Sequence, residues 1–319
     1  MDNYTFRPWR EGDDLELLQL WGDAESSGYD SFRAMFRPDQ DSGPWSRTLV
    51  AEHQGVAVAA ATVYETSLHV QRLWAYIEVA VDHRRQGLGA ELFRRLQELA
   101  VSTPSGVQSL RSKVQEGSAG ASFAQAMGLG VIQRSQMVKV ASGSVPEVPL
   151  RVDSSGQPMQ VIENIATGSV ELTQKMWEFY SRSHRWDPPA EISLGQVNRL
   201  FLSDEAEALG AIVLRDFDSS DDFSGNPPIK AFVVSYRPLE QELPGRQLAD
   251  DEATEILLGY DFDDVSAREA IMQLLYVLVH QYPVILEVDE SMEDLQVMIN
   301  QLVKMGSAQV LDTTLVVAH

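Results

Sequence analysis

The apolar positions change period repeatedly along the chain, and each change predicts an element. Tyr4 to Trp9 alternate as a strand does, and after Asp13 the residues Leu15, Leu17, Leu18, Leu20 and Trp21 fall at helical spacing. Residues 22–46 are rich in Gly, Ser, Asp and Pro, with Tyr29, Phe32, Met35 and Phe36 interspersed, which predicts short helical pieces and loops of the kind that line clefts. Residues 48–53 and 56–65, joined by Gln54 and Gly55, predict a β-hairpin, and a further strand is predicted over 74–82. Leu88, Leu92, Phe93, Leu96, Leu99 and Ala100 then repeat at helical spacing. A strand at 109–114, a helix at 118–127 closed by Gly128, and a strand at 131–140 complete this part.

Residues 141–158 carry Gly, Ser and Pro without periodicity and read as a linker. After it the order recurs: a strand at 159–165, a helix at 170–180, strands at 211–215 and 230–236 around an acidic loop, a strand at 254–260, a helix at 267–282, a strand at 283–288, a helix at 293–305 and a strand at 308–317. Two copies of one α/β (α+β) architecture follow, with domains at 1–145 and 146–319. A length of 319 residues suits that division, since each half is large enough to bury its own core.

Composition narrows the class without naming a chemistry. With 44% hydrophobic and 23% charged residues the chain reads as globular rather than disordered or fibrous. Cysteine is absent, which excludes a thiol nucleophile, a disulfide framework and a thiolate metal site. The apolar runs at 56–63 and 274–279 are far too short to span a bilayer, and the start Met1-Asp2-Asn3 lacks the pattern of a secretory signal, so a cytoplasmic protein is expected. Acidic residues outnumber basic ones 47 to 25, for a net charge of −22. Nucleic acids and anionic membranes are therefore not expected as partners, whereas a cationic small molecule is compatible with that charge.

The run from Ile77 to Phe93 holds a strand, a tight loop and a helix in immediate succession. Gly87 and Gly89 carry no β-carbon, so the backbone can bend and bring several N–H groups to one anion. Those donors open a helix, where the macrodipole adds positive potential, and Arg84 and Arg85 add full charges. A pyrophosphate suits such a site. A dinucleotide fingerprint would require glycine at Leu92, and a P-loop would require Lys followed by Ser or Thr; neither is present.

Arg84-Arg85-Gln86-Gly87-Leu88-Gly89 resembles the signature of the Gcn5-related N-acetyltransferase family: Arg or Gln, two residues, Gly, one residue, then Gly or Ala. The resemblance extends over the order of elements in residues 4–140, including the helix that ends Phe123-Ala124-Gln125-Ala126-Met127-Gly128. It implies two tandem acyl-CoA N-acyltransferase folds, each a mixed, mostly antiparallel sheet flanked by helices, with acetyl-CoA as cofactor and a small-molecule amine as partner, in a monomer or homodimer. It further implies that the backbone of Val79, Ala80 and Val81 binds the pantetheine arm, and that Arg84, Arg85, Gln86, Gly87, Leu88, Gly89 and Ala90 bind the pyrophosphate. Glu78 becomes the expected general base. Many relatives use a tyrosine as the acid where this chain aligns Ala124; Tyr76 and Tyr64 are the candidate substitutes, each otherwise an ordinary strand aromatic.

In the second half the matching turn reads Asp261-Phe262-Asp263-Asp264. Carboxylates there stabilise a helix entry but repel a pyrophosphate, so a degenerate copy without cofactor is expected. Asp216, Asp218, Asp221 and Asp222 lack the glycine and glutamate of a calcium loop, and the six histidines lack metal spacing, so no metal is expected. His83 reads as a surface residue, and residues 183–189 read either as a border of the acceptor cleft or as a packed loop. Three functions remain open: acetyl transfer to a primary amine by direct attack, CoA binding without catalysis by a sensor or assembly protein, or a purely structural domain that binds no cofactor.

Overall fold

Alternation over residues 46–64 folds into a hairpin, β2 (Ser46–His53) and β3 (Val56–Tyr64), paired antiparallel around Gln54 and Gly55, whose φ angles of 54° and 80° suit a tight reversal. The computed structural model describes residues 3–22, 31–217, 227–236, 253–280 and 282–319. These fall into two compact units: residues 1–132, 187–190 and 315–319, and residues 133–186 and 191–314. The division falls between Ile132 and Gln133, so the linker at 141–158 lies inside the second unit. The strand β6 (Gly130–Val140) spans the division, and the last five residues of the chain belong to the first unit.

In the first unit β1 (Tyr4–Pro8) pairs antiparallel with β2, and β3 pairs antiparallel with β4 (Leu73–Val79). Strand β4 pairs parallel with β5 (Leu110–Gln115), the crossover being helix α2 (Leu88–Ala100). Leu88, Leu92, Phe93, Leu96 and Ala100 form the buried stripe of α2 against Ala59, Ala61, Val63 and Ala75. Each large side chain buried there contributes about 2 kcal/mol. On the opposite face α1 (Asp13–Trp21) places Leu17 against Phe36, Val50, Ala60 and Tyr76. Helix α1 is anchored by Asp13, which accepts from Arg7 at 2.7 Å and from the Arg10 N–H at 2.6 Å. Helix α3 (Ala119–Ala126) is capped by the Ser118 hydroxyl and closed by Gly128 at φ 81°.

The second unit repeats this wiring. Strands β7 (Gln160–Ile165), β8 (Ala208–Asp216), β9 (Ile229–Tyr236) and β10 (Thr254–Tyr260) pair antiparallel in that order. Strand β10 pairs parallel with β11 (Val284–Asp289), which pairs antiparallel with β6. The helices are α4 (Val170–Ser183), α5 (Leu194–Phe201), α6 (Ala267–Val279) and α7 (Glu293–Met305), and β12 (Ala308–Ala318) ends the chain. Each half is thus a mixed, mainly antiparallel sheet flanked by helices. Helix α5 was not expected from the sequence. Its signal is the capping box in which the Ser193 hydroxyl accepts from the Gln196 N–H while the Gln196 side chain accepts from the Ser193 N–H. No helix among the described residues is long and apolar enough to cross a membrane.

Candidate active site

Strand β4 ends at Val79, three residues short of the expected stretch, and a 3-10 turn over Val81–His83 replaces its last residues. The chain then reverses with Arg85 at φ 62° and Gly87 at φ 83°, and α2 begins at Leu88. Gly87 serves as N-cap, and no side chain of the described residues caps this end. The first bond into the helix runs from Glu91 N to Gly87 O, 3.1 Å, so the N–H groups of Leu88, Gly89 and Ala90 are the first-turn donors that a helix leaves to outside acceptors. Gly89 is small for a second reason: a β-carbon there would lie 3.3 Å from the Phe123 ring of α3.

From β1, the Tyr4 hydroxyl donates to Gln86 Oε1 and lies 3.0 Å from His83 Nδ1, while Gln86 Nε2 donates to the Asp82 carbonyl at 2.9 Å. His83, expected as a surface residue, therefore helps to fix the turn.

Strands β4 and β5 pair only at Leu73 with Leu110 and Trp74 with Arg111, and then diverge. The hydrogen bonds show which backbone groups face the gap. Leu73 N donates toward β5, to Ser109 O, and Ala80 N donates the other way, to Val58 O. Strand alternation therefore turns the amides of the odd residues Ala75, Ile77 and Val79 toward the gap. Of the backbone expected to receive a pantetheine arm, Val79 faces the gap. Ala80 is committed elsewhere, its N–H to Val58 and its carbonyl to His83 N, and the Val81 carbonyl accepts from Arg84 N. Ile77, not singled out in the sequence, takes its place on that edge.

The gap opens into a cleft of about 720 Å³. Arg84, Arg85, Gly87, Gly89 and Ala90 line one end of this cleft, with Ile77, Val79 and Phe123 along its walls. Gln86, Leu88, Ala80 and Val81, also expected to bind cofactor, are not part of the lining; Leu88 and Ala80 are buried, and Val81 and Gln86 are exposed. Leu88 still contributes its N–H as one of the first-turn donors.

Alternation along β4 sends Ala75, Ile77 and Val79 to the α2 face and Trp74, Tyr76 and Glu78 to the α1 face, which settles the side taken by Glu78. Arg33 holds that carboxylate with two bonds, Nε to Oε2 at 2.8 Å and Nη2 to Oε1 at 2.5 Å. The Tyr76 hydroxyl donates to the same Oε2 at 2.9 Å. Arg33 also donates to the Gly22 carbonyl at 2.7 Å and lies over the Trp21 ring, 5.4 Å from its centroid. Around this group Phe32 stacks on Tyr76 at 5.3 Å, and Phe36 lies 5.3 Å from Tyr76 and 5.5 Å from Trp21. Trp21, Arg33, Tyr76 and Glu78 all line the cleft. Arg33 and Trp21 carry no spacing signal, because they come from an irregular segment and from the end of an ordinary amphipathic helix.

Ala124 lies in the cleft wall, whereas Tyr64 is not part of the lining and burial pushes its phenol up to about 12. Tyr76 is thus the only one of the two alternative tyrosines that lines the cleft. Asp187, from residues 183–189, is fully buried in the first unit, where Arg111 and Arg72 pair with it and His69 bonds to its carbonyl. Asp216 pairs with Arg151, while Asp218, Asp221 and Asp222 lie outside the described residues.

The matching position in the second unit carries an aromatic ring, beside a smaller cavity of about 380 Å³. Four residues beyond the last parallel pair stands Glu78 in the first unit and Tyr260 in the second, counting from Trp74 and Ile256. Tyr260 is buried between Phe179 and Phe262, at ring distances of 5.6 and 4.7 Å. The Phe232 ring occupies the space a β-carbon at Gly259 would need, 2.2 Å from it. In the turn, Asp263 receives two bonds from Arg182, at 2.6 and 2.9 Å, and Asp264 pairs with Lys230 at 3.0 Å. The Arg182 guanidinium holds the exposed Asp263 carboxyl below the usual carboxylate range.

Residues 13–128 match the sequence profile of the acetyltransferase (GNAT) family. No curated protein matches the chain. Among solved structures, it is similar over 100% of its length to a GCN5-related N-acetyltransferase from Sphaerobacter thermophilus, with 15% identity, a TM-score of 0.60 and 96% of that chain covered. It is also similar to a tandem GNAT protein from the clavulanic acid biosynthesis pathway, with 13% identity, a TM-score of 0.57, and 99% and 98% of the two chains covered. A GCN5-related N-acetyltransferase from Anabaena variabilis matches with 10% identity and a TM-score of 0.54, over 99% of this chain and 72% of that one. Residues 13–128 thus carry the sequence profile of the acetyltransferase (GNAT) family, and the whole chain has the fold of a tandem GNAT protein.

Proposed function

We propose that the protein is an N-acetyltransferase that moves an acetyl group from acetyl-CoA to a primary amine in a ternary complex. The observation that carries this reading is the cleft between β4 and β5, which joins the uncapped start of α2 to Glu78. The residues present fit acetyl-CoA. The first-turn amides of α2 with Arg84 and Arg85 suit its diphosphate, and the outward amides of Ile77 and Val79 suit its amide-bearing arm. When bound, acetyl-CoA supplies an activated acyl group as a thioester.

Glu78 then takes the proton that the acceptor ammonium must lose before its nitrogen can attack, directly or through one water. As the new C–N bond forms and the C–S bond breaks, the leaving thiolate needs a proton. In this mechanism the Tyr76 hydroxyl, 2.9 Å from Glu78, gives it and is reprotonated from that carboxyl group, and the second proton that the nitrogen loses as the amide forms leaves to solvent. The carboxylates at the matching turn, where the first unit has arginines, support a second unit that binds no CoA.

Ala124, where many family members carry the acid, favours the second reading, a CoA-binding sensor without turnover. Thiol release with acetyl-CoA and a panel of amines separates them. Transfer to at least one amine supports the enzyme, and saturable CoA binding with no release above the hydrolytic background supports the sensor. We place the protein in the cytoplasm as a monomer or homodimer, and its charge of −22 argues against nucleic acid and anionic membranes as partners.

A further inference from the structure

We infer that the first unit contains a cation receptor, made by the face of Trp21 and the carboxylate of Glu78, which its own Arg33 occupies, so that the acceptor is an amine without a second positive charge beside the reacting nitrogen. The inference concerns the same cleft as the proposed acetyl transfer and, for the acceptor's charge, rests on that reading.

An aromatic face and a carboxylate together are what a guanidinium or ammonium ion binds. Both are present here, and both are taken by one side chain: Arg33 lies 5.4 Å from the Trp21 centroid and forms a two-bond pair with Glu78. The pair is largely withdrawn from solvent, at 16% and 14% side-chain exposure, where charges are poorly screened. Tyr76 donates to Oε2 as well, so three of the four lone pairs of Glu78 are used from within the chain. One on Oε1 remains to accept a proton, which is enough for the base but leaves no room for a second cation to pair beside it.

The charge of the whole chain points the other way. A net charge of −22 attracts polyamines and other polycations at long range. At the α1 face of the cleft, however, the Arg33–Glu78 pair is neutral, and an acceptor's second ammonium would meet the guanidinium rather than the carboxylate. Arg33 is in this account a specificity-determining residue that acts through Glu78 and does not touch the reacting atoms.

The test uses the full-length protein and two variants, Arg33→Ala and Arg33→Gln, each first shown by circular dichroism and thermal melting to be folded. Methylguanidinium chloride is titrated in the millimolar range and followed by calorimetry. Saturable binding to the Arg33→Ala variant, absent from the wild type and from the double variant with Glu78→Gln, is the expected result. No saturable binding to either folded single variant, or equal binding to the wild type, overturns the receptor. This arm needs no turnover and stands even if no amine is acetylated.

The second arm compares a monoamine with a diamine of the same chain length as acceptors. Arg33→Ala is expected to shift the ratio of their kcat/KM values at least about tenfold toward the diamine. An unchanged ratio in an active variant overturns the role in specificity.

Discussion

The Tyr76 hydroxyl donates to Glu78 Oε2 at 2.9 Å, two residues along one strand and on the same face of it. The pair turns both polar side chains to the α1 side of the cleft while the intervening Ile77 turns to the other face. Glu78→Gln keeps the size of the side chain and removes the proposed base. It is expected to lower kcat by about 10²–10⁴ with CoA affinity unchanged, and Tyr76→Phe to lower it less. Steady-state kinetics with a calorimetric titration of CoA check this; a variant of Glu78 with wild-type kcat would remove it from the mechanism.

Arg85 sits at φ 62°, a conformation that costs a residue with a side chain roughly 1–2 kcal/mol. A strained arginine retained in a turn that lines the cleft is consistent with a role for its charge. Arg85→Gly relieves the backbone strain but increases the freedom of the unfolded chain, so the melting temperature is expected to stay level or rise slightly. CoA affinity is expected to fall about tenfold. A fall in melting temperature with unchanged affinity would show that Arg85 is structural.

Burial pushes the phenols of Tyr64 and Tyr260 up to about 12. The folded state then holds a proton that the unfolded chain releases near pH 10. The stabilisation is complete below about pH 10 and is lost as pH rises toward about 12, at roughly 3 kcal/mol for each tyrosine. Urea denaturation at about pH 8 and about pH 11 is expected to show a smaller loss of stability for Tyr64→Phe than for the wild type. Equal losses would mean that Tyr64 ionises freely.

Asp187 balances Arg111 and Arg72, and both Asp187 and Arg111 are buried. Removing the carboxylate leaves cations out of water without a partner, so Asp187→Ala is expected to cost about 3–5 kcal/mol by urea denaturation. A cost below about 1 kcal/mol would show that solvent replaces the lost partner.

What could be read from the chain was local. Arg84, Gly87, Gly89 and the apolar stripe of α2 lie within seventeen residues, so their periodicity and turn chemistry revealed strand, turn and helix together. The repeat was legible for the same reason, through element order. Contacts made at a distance were not. Arg33 reaches Glu78 across 45 positions from a segment without a period, and nothing in either local sequence points to the other. The backbone edge was misplaced by two residues because β4 ends at Val79, where a 3-10 turn takes over the carbonyls of Ala80 and Val81. Composition marked the linker at 141–158, but the units divide where contacts, not composition, change.

The central claim is that the turn from β4 into α2 binds the diphosphate of one CoA. Calorimetric titration of CoA into the full-length wild type and a Gly87→Asp variant tests it directly. We predict saturable binding at one site per chain for the wild type, and at least about a hundredfold weaker binding when a side chain with a negative charge is forced onto a φ of 83° at the helix entry. No binding to folded wild type, or equal affinity in both proteins, would contradict the account.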